Sequence, residues 1–257
     1  MGTRAGKSLL FQLLAHSQKS GTTVVIVLLK SLEKSLHKRC QKASISCIQW
    51  DAQKSNRIAQ IVLVQPESVI GTKFAQYLNR LEGLGQLDRI VFDECYTVLD
   101  SRPDFWPKMR EAGAAMVKRG VQIVYLTATL CPNKEEEFKQ IMKVQILPNL
   151  TFRAPTSRPN IAYSVVEHLA ETEESTFVQE LVAQKLQQYP ALAKIIIYSS
   201  SINSIKEIRA KLGCHIYHAS VGSPEVKSGI QEQWERVDGR VIVASNAFGL
   251  GINKLDV

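Results

Sequence analysis

Short apolar runs rich in β-branched residues alternate along this chain with segments whose apolar positions recur every three or four residues. That alternation restricts the fold more than any other feature. The runs fall at residues 24–29, 45–49, 61–64, 89–92 and 122–126, and helical patterns separate most of them at 31–39, 68–81, 106–118 and 133–142. Near the start, Leu9, Leu10, Leu13 and Leu14 repeat at helical spacing. Strands joined through helices need right-handed crossovers, so they lie parallel and are covered on both faces. The rhythm breaks around Pro148-Asn149 and again over 153–160, where Pro155 and Pro159 punctuate a polar stretch. A second set then begins, with strands expected at 161–166, 194–198, 215–218 and 240–244 and helices at 174–188, 202–212 and 224–234. The expectation is an α/β protein of two lobes, residues 1–150 and 161–257, joined by a linker over 151–160. Because the chain stops at Val257 after an apolar strand and a Gly-rich turn, the second lobe is expected to lack a strand or two.

Asp93-Glu94-Cys95-Tyr96 follows the run Arg89-Ile90-Val91-Phe92, which places two carboxylates at the carboxyl end of a buried strand. Open α/β sheets bind ligands there. One carboxylate can hold Mg²⁺ through water, and the other can orient and deprotonate an attacking water. Taken alone, such a pair is more often an ordinary cap or a solvated turn. Gly6-Lys7-Ser8 adds a second signal, the tail of the Gly-x-x-x-x-Gly-Lys-Ser/Thr loop whose backbone N–H groups cradle phosphates. The first glycine of that pattern falls on Met1, so the strict motif is not met. Lys7 would reach the β/γ oxygens, Ser8 and Asp93 would hold the metal, and Glu94 would serve as base. Thr3, Gly6, Lys7 and Ser8 are the expected nucleotide contacts. Thr127-Ala128-Thr129 closes another strand, either as a plain turn or as hydroxyls that sense the phosphate site.

With 32 Lys and Arg against 24 Asp and Glu the chain carries +8, which favours polyanionic partners without requiring them. Five cysteines (Cys40, Cys47, Cys95, Cys131 and Cys214) form no Cys-x-x-Cys pair, which argues against a zinc site or a disulfide framework. The longest apolar run, residues 24–29, is too short to span a bilayer, and the reading is a soluble intracellular protein.

The order Gly2-Thr3-Arg4-Ala5-Gly6-Lys7-Ser8, Gln65-Pro66-Glu67-Ser68, Asp93-Glu94-Cys95-Tyr96, Thr127-Ala128-Thr129 resembles the motor motifs of superfamily 2 helicases. Residues 244–254, including Gly249, Gly251 and Asn253, are similar to the fifth motif of RecQ helicases. Ser157-Arg158-Pro159-Asn160-Ile161 with Tyr163 resembles the RecQ entry into the second lobe, and residues 196–201 fit the fourth motif. The resemblance implies two RecA-like lobes of a P-loop NTPase and a 3′–5′ DNA helicase using ATP and Mg²⁺. It also implies single-stranded and duplex-junction DNA as partners, no membrane, and a nuclear location in a eukaryote. Phe105 and Trp106 would stack on bases. Lys30, Ser31, Gln65, Pro66, Glu67, Ser68, Ser199, Ser200, Ser245 and Asn246 would contact nucleic acid. Tyr96, Thr127, Thr129, Gly249 and Gly251 would couple hydrolysis to movement. Lys34, Lys38, Arg39 and Lys42 read as a wet helix face or a source of nonspecific attraction.

Several residues depart from the family pattern. Arg4 and Ala5 replace loop glycines, Tyr96 stands where the box has histidine, and Asn253 replaces an aspartate. The adenine-reading glutamine and arginine-finger segments would precede and follow this stretch of sequence. Two rival readings follow: an RNA helicase of the same superfamily, and a remnant that binds nucleic acid without turnover.

Overall fold

The computed structural model describes residues 6–17, 21–28, 30–99, 107–147, 150–155, 160–167, 174–236 and 239–248. The chain divides into two compact units, residues 1–162 and 163–257, and each is an α/β layer structure with a parallel sheet.

In the first unit the elements run α1 (Lys7–His16), β1 (Thr22–Ile26), α2 (Lys30–Lys42), β2 (Cys47–Gln49), β3 (Ile61–Val64), α3 (Pro66–Val69), α4 (Thr72–Gly83), β4 (Leu87–Phe92), α5 (Pro107–Val117), β5 (Gln122–Tyr125) and α6 (Glu135–Met142). Five strands pair in the order β2-β3-β1-β4-β5, every pair parallel. Period-two alternation sorts the apolar side chains between two cores. Val24, Ile26, Val62, Val64, Ile90 and Phe92 meet α3, α4, α5 and α6 through Val69, Phe74, Leu78, Leu81, Met109 and Phe138. On the other face, Val25, Ile61, Leu63 and Val91 meet α1 and α2 through Phe11, Ala15, Leu36 and Cys40. With both faces covered, β1 and β3 are buried at every position, as parallel strands require. One glycine sets how closely β1 is approached. A Cβ on Gly21 would stand 2.4 Å from the Gln86 carbonyl oxygen, and its N–H donates to Asp88 Oδ2 at 2.7 Å.

The second unit contains α7 (Glu174–Gln188), β6 (Ile195–Tyr198), α8 (Ile202–Leu212), β7 (His215–Tyr217), α9 (Pro224–Glu235) and β8 (Val241–Ala244). Its sheet order is β6-β8-β7. Trp234, Ile242, Ala244 and Phe248 pack on one face, and Val243 with Ile205 and Ile208 on the other. Ser201 and Ser223 cap α8 and α9, accepting from the N–H groups of Ser204 and Val226.

The structure corrects two sequence expectations. The helix expected over 68–81 is two pieces, α3 and α4, with Gly71 in an extended conformation between them. The strand expected at 161–166 is absent; Tyr163 is 80% and Val165 94% exposed, so this apolar run has no sheet to join. The leucines that repeat at helical spacing do lie on a helix, α1, but on its outer side. Leu9, Leu10, Leu13 and Leu14 are exposed, and the buried positions are Phe11 and Ala15. Among the described residues no helix is long and apolar enough to cross a membrane.

Candidate functional site

Parallel strands end at one edge of a sheet, and there the first unit gathers its chemistry. Gly6 is left-handed, with φ 77° and ψ 22°, a conformation that favours glycine, and it delivers the chain into α1. No side chain caps that N-terminus, so the first-turn N–H groups of α1 can meet an anion. Asp93 follows β4 directly and is held there by its N–H, which donates to the Ile26 carbonyl at 3.1 Å. Glu94 turns sharply, with φ 49°. A non-glycine residue in that region costs on the order of 1–3 kcal/mol, and such strain clusters at functional sites. The turn brings Glu94 Oε1 to 3.4 Å from Lys7 Nζ, with the two side chains 28% and 10% exposed. Cys95 N–H then donates to the Leu126 carbonyl at 3.1 Å, fixing the turn to the end of β5 beside Thr127.

The electrostatics of Asp93 depart from those of an ordinary solvated carboxylate. Burial, reinforced by the neighbouring Glu94 charge, pushes its pKa from 3.8 up to about 6. The Glu94 N–H, Lys7 and Arg39 work in the opposite direction. Such a group gains from a cation. Among the described residues no three His, Cys, Asp or Glu side chains gather as a protein-only metal site. One carboxylate and one hydroxyl instead suit a Mg²⁺ that takes its other oxygens from phosphates and water. Burial also raises the Cys95 thiol, which keeps it protonated and unreactive.

Arg39 belongs to this site, although its helix reads from sequence as a wet basic face. Its Nη2 donates to Ser8 Oγ at 3.3 Å, and its charge acts on Asp93. The sequence offers only a basic helix at that point; the pairing of α2 with α1 supplies the rest. Glu33 also escapes the motif reading. It is buried, accepts from Gln65 Nε2 at 3.0 Å, and has its pKa raised by that burial.

The other expected residues fall at strand carboxyl ends. Gln65 follows β3 and stands just before the Pro66–Val69 helix, with Pro66 at its first position; Glu67 and Lys30 are exposed. Thr129 N–H donates to Thr127 Oγ1 at 3.3 Å, and Tyr96 lies half-buried in the short helix Cys95–Leu99. In the second unit Ser199 and Ser200 follow β6, while Ser245 and Asn246 follow β8. Thr3, Phe105, Trp106, Gly249, Gly251 and the side chain of Ser31 lie outside the described residues.

A sequence model of the DEAD/DEAH box helicases matches residues 1–138, more than half of the chain. The chain belongs to the DEAD/DEAH box helicase family. This helicase-family chain is also similar over its whole length to ATP-dependent DNA helicase Q1 of Rattus norvegicus, at 27% identity and over 44% of that protein. ATP-dependent helicase SGS1 of Saccharomyces cerevisiae is 29% identical over 19% of its length, and the RecQ-like DNA helicase blm-1 of Caenorhabditis elegans 27% over 27%. These relatives are RecQ-family DNA helicases, as the resemblance of residues 244–254 implied. The helicase-family chain spans less than half the length of each. Two solved structures share its fold. S. cerevisiae Dbp5 bound to RNA and ADP BeF3 gives a TM-score of 0.67 at 13% identity, covering 98% of this chain and 65% of that one. The DUF1998 helicase MrfA bound to DNA and AMPPNP gives 0.68 at 16%, covering 98% and 39%.

Proposed function

We propose that the chain carries the motor core of a 3′–5′ DNA helicase of RecQ type, with ATP on the first unit and single-stranded DNA in contact with both. The observation that carries this reading is the convergence of Lys7, Asp93 and Glu94 at one sheet edge beside an uncapped helix N-terminus. Residues 1–150 form the ATP-binding lobe in this reading, and 161–257 the second helicase lobe.

The Lys7–Glu94 pair suggests how binding prepares the reaction. An arriving triphosphate offers Lys7 a denser negative charge, so the ammonium moves to the β/γ oxygens and releases the Glu94 carboxylate. Glu94 then takes a proton from the water that attacks the γ-phosphorus, and ADP departs as the P–O bond breaks. Ser8 and Asp93 would hold Mg²⁺, which supplies charge neutralisation at the phosphates. Arg39 must yield Ser8 Oγ for that to happen. Phe105 and Trp106 would stack on bases at about 1–3 kcal/mol each, and Gln65 to Ser68, Lys30, Ser31, Ser199, Ser200, Ser245 and Asn246 would grip the strand. Tyr96, Thr127, Thr129, Gly249 and Gly251 would transmit the state of the phosphates. In a eukaryote the work would lie in the nucleus, in DNA repair and recombination.

The test is DNA-stimulated ATP turnover by the chain and by Lys7→Ala. Loss of at least about 100-fold in the variant is expected, since the ammonium acts on the charge that develops in the transition state. Equal turnover in both would remove the reading.

A further inference from the structure

α2 returns into β2 through a tight turn. The Ile45 N–H donates to the Cys40 carbonyl at 2.9 Å, and Ser44 is left-handed, with φ 56°. β2 then packs against the helix it follows. Successive residues of a strand face opposite sides of the sheet, so Ile48 joins the core under α4 while Cys47 joins the one under α1 and α2. His37 Nε2 meets the Cys47 carbonyl oxygen at 3.1 Å. Cys40 lies three residues beyond His37, on the same face of α2. The two thiols therefore meet, and the Cys47 S–H donates to the Cys40 sulfur. Gln12 Nε2 of α1 stands 3.6 Å from that same sulfur. Both cysteines are free thiols.

These contacts set the chemistry of the pair. A sulfur that accepts hydrogen bonds beside a cation holds negative charge better than an isolated thiol. The bond from Cys47 foremost, with the Gln12 amide and the Arg39 charge, brings Cys40 below the usual thiol range, to about 7, against the effect of its burial. Cys47 is pushed the other way, chiefly because its proton is committed to Cys40. Burial raises Cys95 and Cys214 as well. One anionic sulfur against one protonated sulfur is the arrangement in which a sulfenic acid on the first is resolved by the second.

We propose that Cys40 and Cys47 form a site oxidised by hydrogen peroxide, closing a reversible disulfide between α2 and β2. The Cys40 sulfur attacks one peroxide oxygen, the O–O bond breaks, and Cys40 sulfenic acid forms as the other oxygen leaves as water with the Cys40 proton. The Cys47 sulfur then attacks the Cys40 sulfur, the S–O bond breaks, and a second water leaves with the Cys47 proton. Two electrons pass from the thiols to the peroxide. Cys40 is fully buried and Cys47 half-buried, so the oxidant must be small and enter from the β2 side. Among the described residues β2 is an edge of three residues paired with β3 alone, and short edges open at low cost. The linkage would take from Gln12 the charged sulfur it bonds and fasten the turn of α2 that carries Arg39. The inference does not rest on the nucleotide or nucleic-acid reading.

The test treats the reduced, folded chain with hydrogen peroxide, blocks the remaining thiols with iodoacetamide and digests it with trypsin. Cleavage after Arg39, Lys42 and Lys54 puts Cys40 in peptide 40–42 and Cys47 in peptide 43–54. The two peptides are expected joined, two hydrogens lighter than their sum, and parted again by dithiothreitol. Joining should run at least about tenfold faster than oxidation of Cys95 or Cys214, and at least about tenfold faster than in the chain unfolded in urea. Cys40→Ser should slow oxidation of Cys47 by a similar factor, while the melting midpoint reports whether the fold persists. Should that variant unfold, the rates in the parent chain still decide. Failure of the peptides to join in the folded chain overturns the proposal. So does equal joining in urea, which would reduce the linkage to closeness in sequence, and so does an unchanged Cys47 rate in folded Cys40→Ser.

Discussion

β6 of the second unit, Ile195–Tyr198, is more apolar than β1 of the first, Thr22–Ile26, yet β1 is wholly buried and β6 is half-exposed. The difference lies in the layers around them. β1 sits in the middle of five strands with helices on both faces, so even Thr22 and Thr23 are enclosed, their hydroxyls bonded to the Ala59 carbonyl and the Arg89 guanidinium. Among the described residues β6 is an edge of three strands, and only the central β8 is buried over most of its length, at Ile242, Val243 and Ala244. Apolar area removed from water stabilises at about 25 cal/mol per Å². The number of flanking strands and helices therefore sets the contribution of a given side chain. The comparison implies a first unit that tolerates damage and a second that depends on a few residues.

Trp234 gives the largest expected effect. It is fully buried in a small cluster with Ile242, Ala244 and Phe248. Trp234→Ala should cost about 3–5 kcal/mol and unfold the second unit selectively. Phe74→Ala in the first unit carries a similar local cost but should leave that unit folded. Hydrogen exchange resolved by segment would check both, and loss of protection in both units on Trp234→Ala would break the comparison.

Asp93 sharpens the contrast in the opposite direction. In the second unit the buried Lys194 ammonium is satisfied by the carbonyls of Arg236 and Gly239. In the first, Asp93 is buried with its pKa raised to about 6. A raised carboxylate pKa means the folded state holds its proton more tightly than the unfolded chain does. Stability of the first unit should therefore fall as pH rises from about 4 to 6, and stay reduced above that. Asp93→Asn should stabilise it by about 2–3 kcal/mol at pH 7 in chelator, at about 1.4 kcal/mol for each tenfold change in proton affinity, and flatten that slope. Urea titrations at pH 4 and 7 would show it, with the second unit's transition unmoved.

The smallest effect concerns a cap. Ser223→Ala removes the acceptor for the Val226 N–H and should lower the second unit's stability by about 1 kcal/mol. A lower melting midpoint confined to that unit is the expected readout.

Strand positions were legible because an apolar β-branched run has few other uses, and β3 at Ile61–Val64 matches its expected span. Burial was not legible. Residues 161–166 carry a strand-like run, but pairing needs a neighbouring strand, which no local pattern encodes. The Lys7–Glu94 approach could be expected from the motifs, since a phosphate loop and a strand-terminal acid share one sheet edge. Arg39 could not, because its role depends on how α2 lies against α1, and a basic helix face looks the same whether or not it meets a hydroxyl. The left-handed turn at Glu94 was equally hidden, for nothing in its residue type calls for φ 49°.

The outward leucines of α1 have a practical consequence for anyone handling this chain. Leu9, Leu13 and Leu14 put a greasy ridge in contact with solvent on the helix that also bears Lys7. Sulfate and other excluded salts penalise wetted hydrocarbon, so precipitation should set in at modest ammonium sulfate, earlier than a net charge of +8 would suggest. Leu13→Glu should delay that onset, which would trace the salting-out to the helix that bears Lys7.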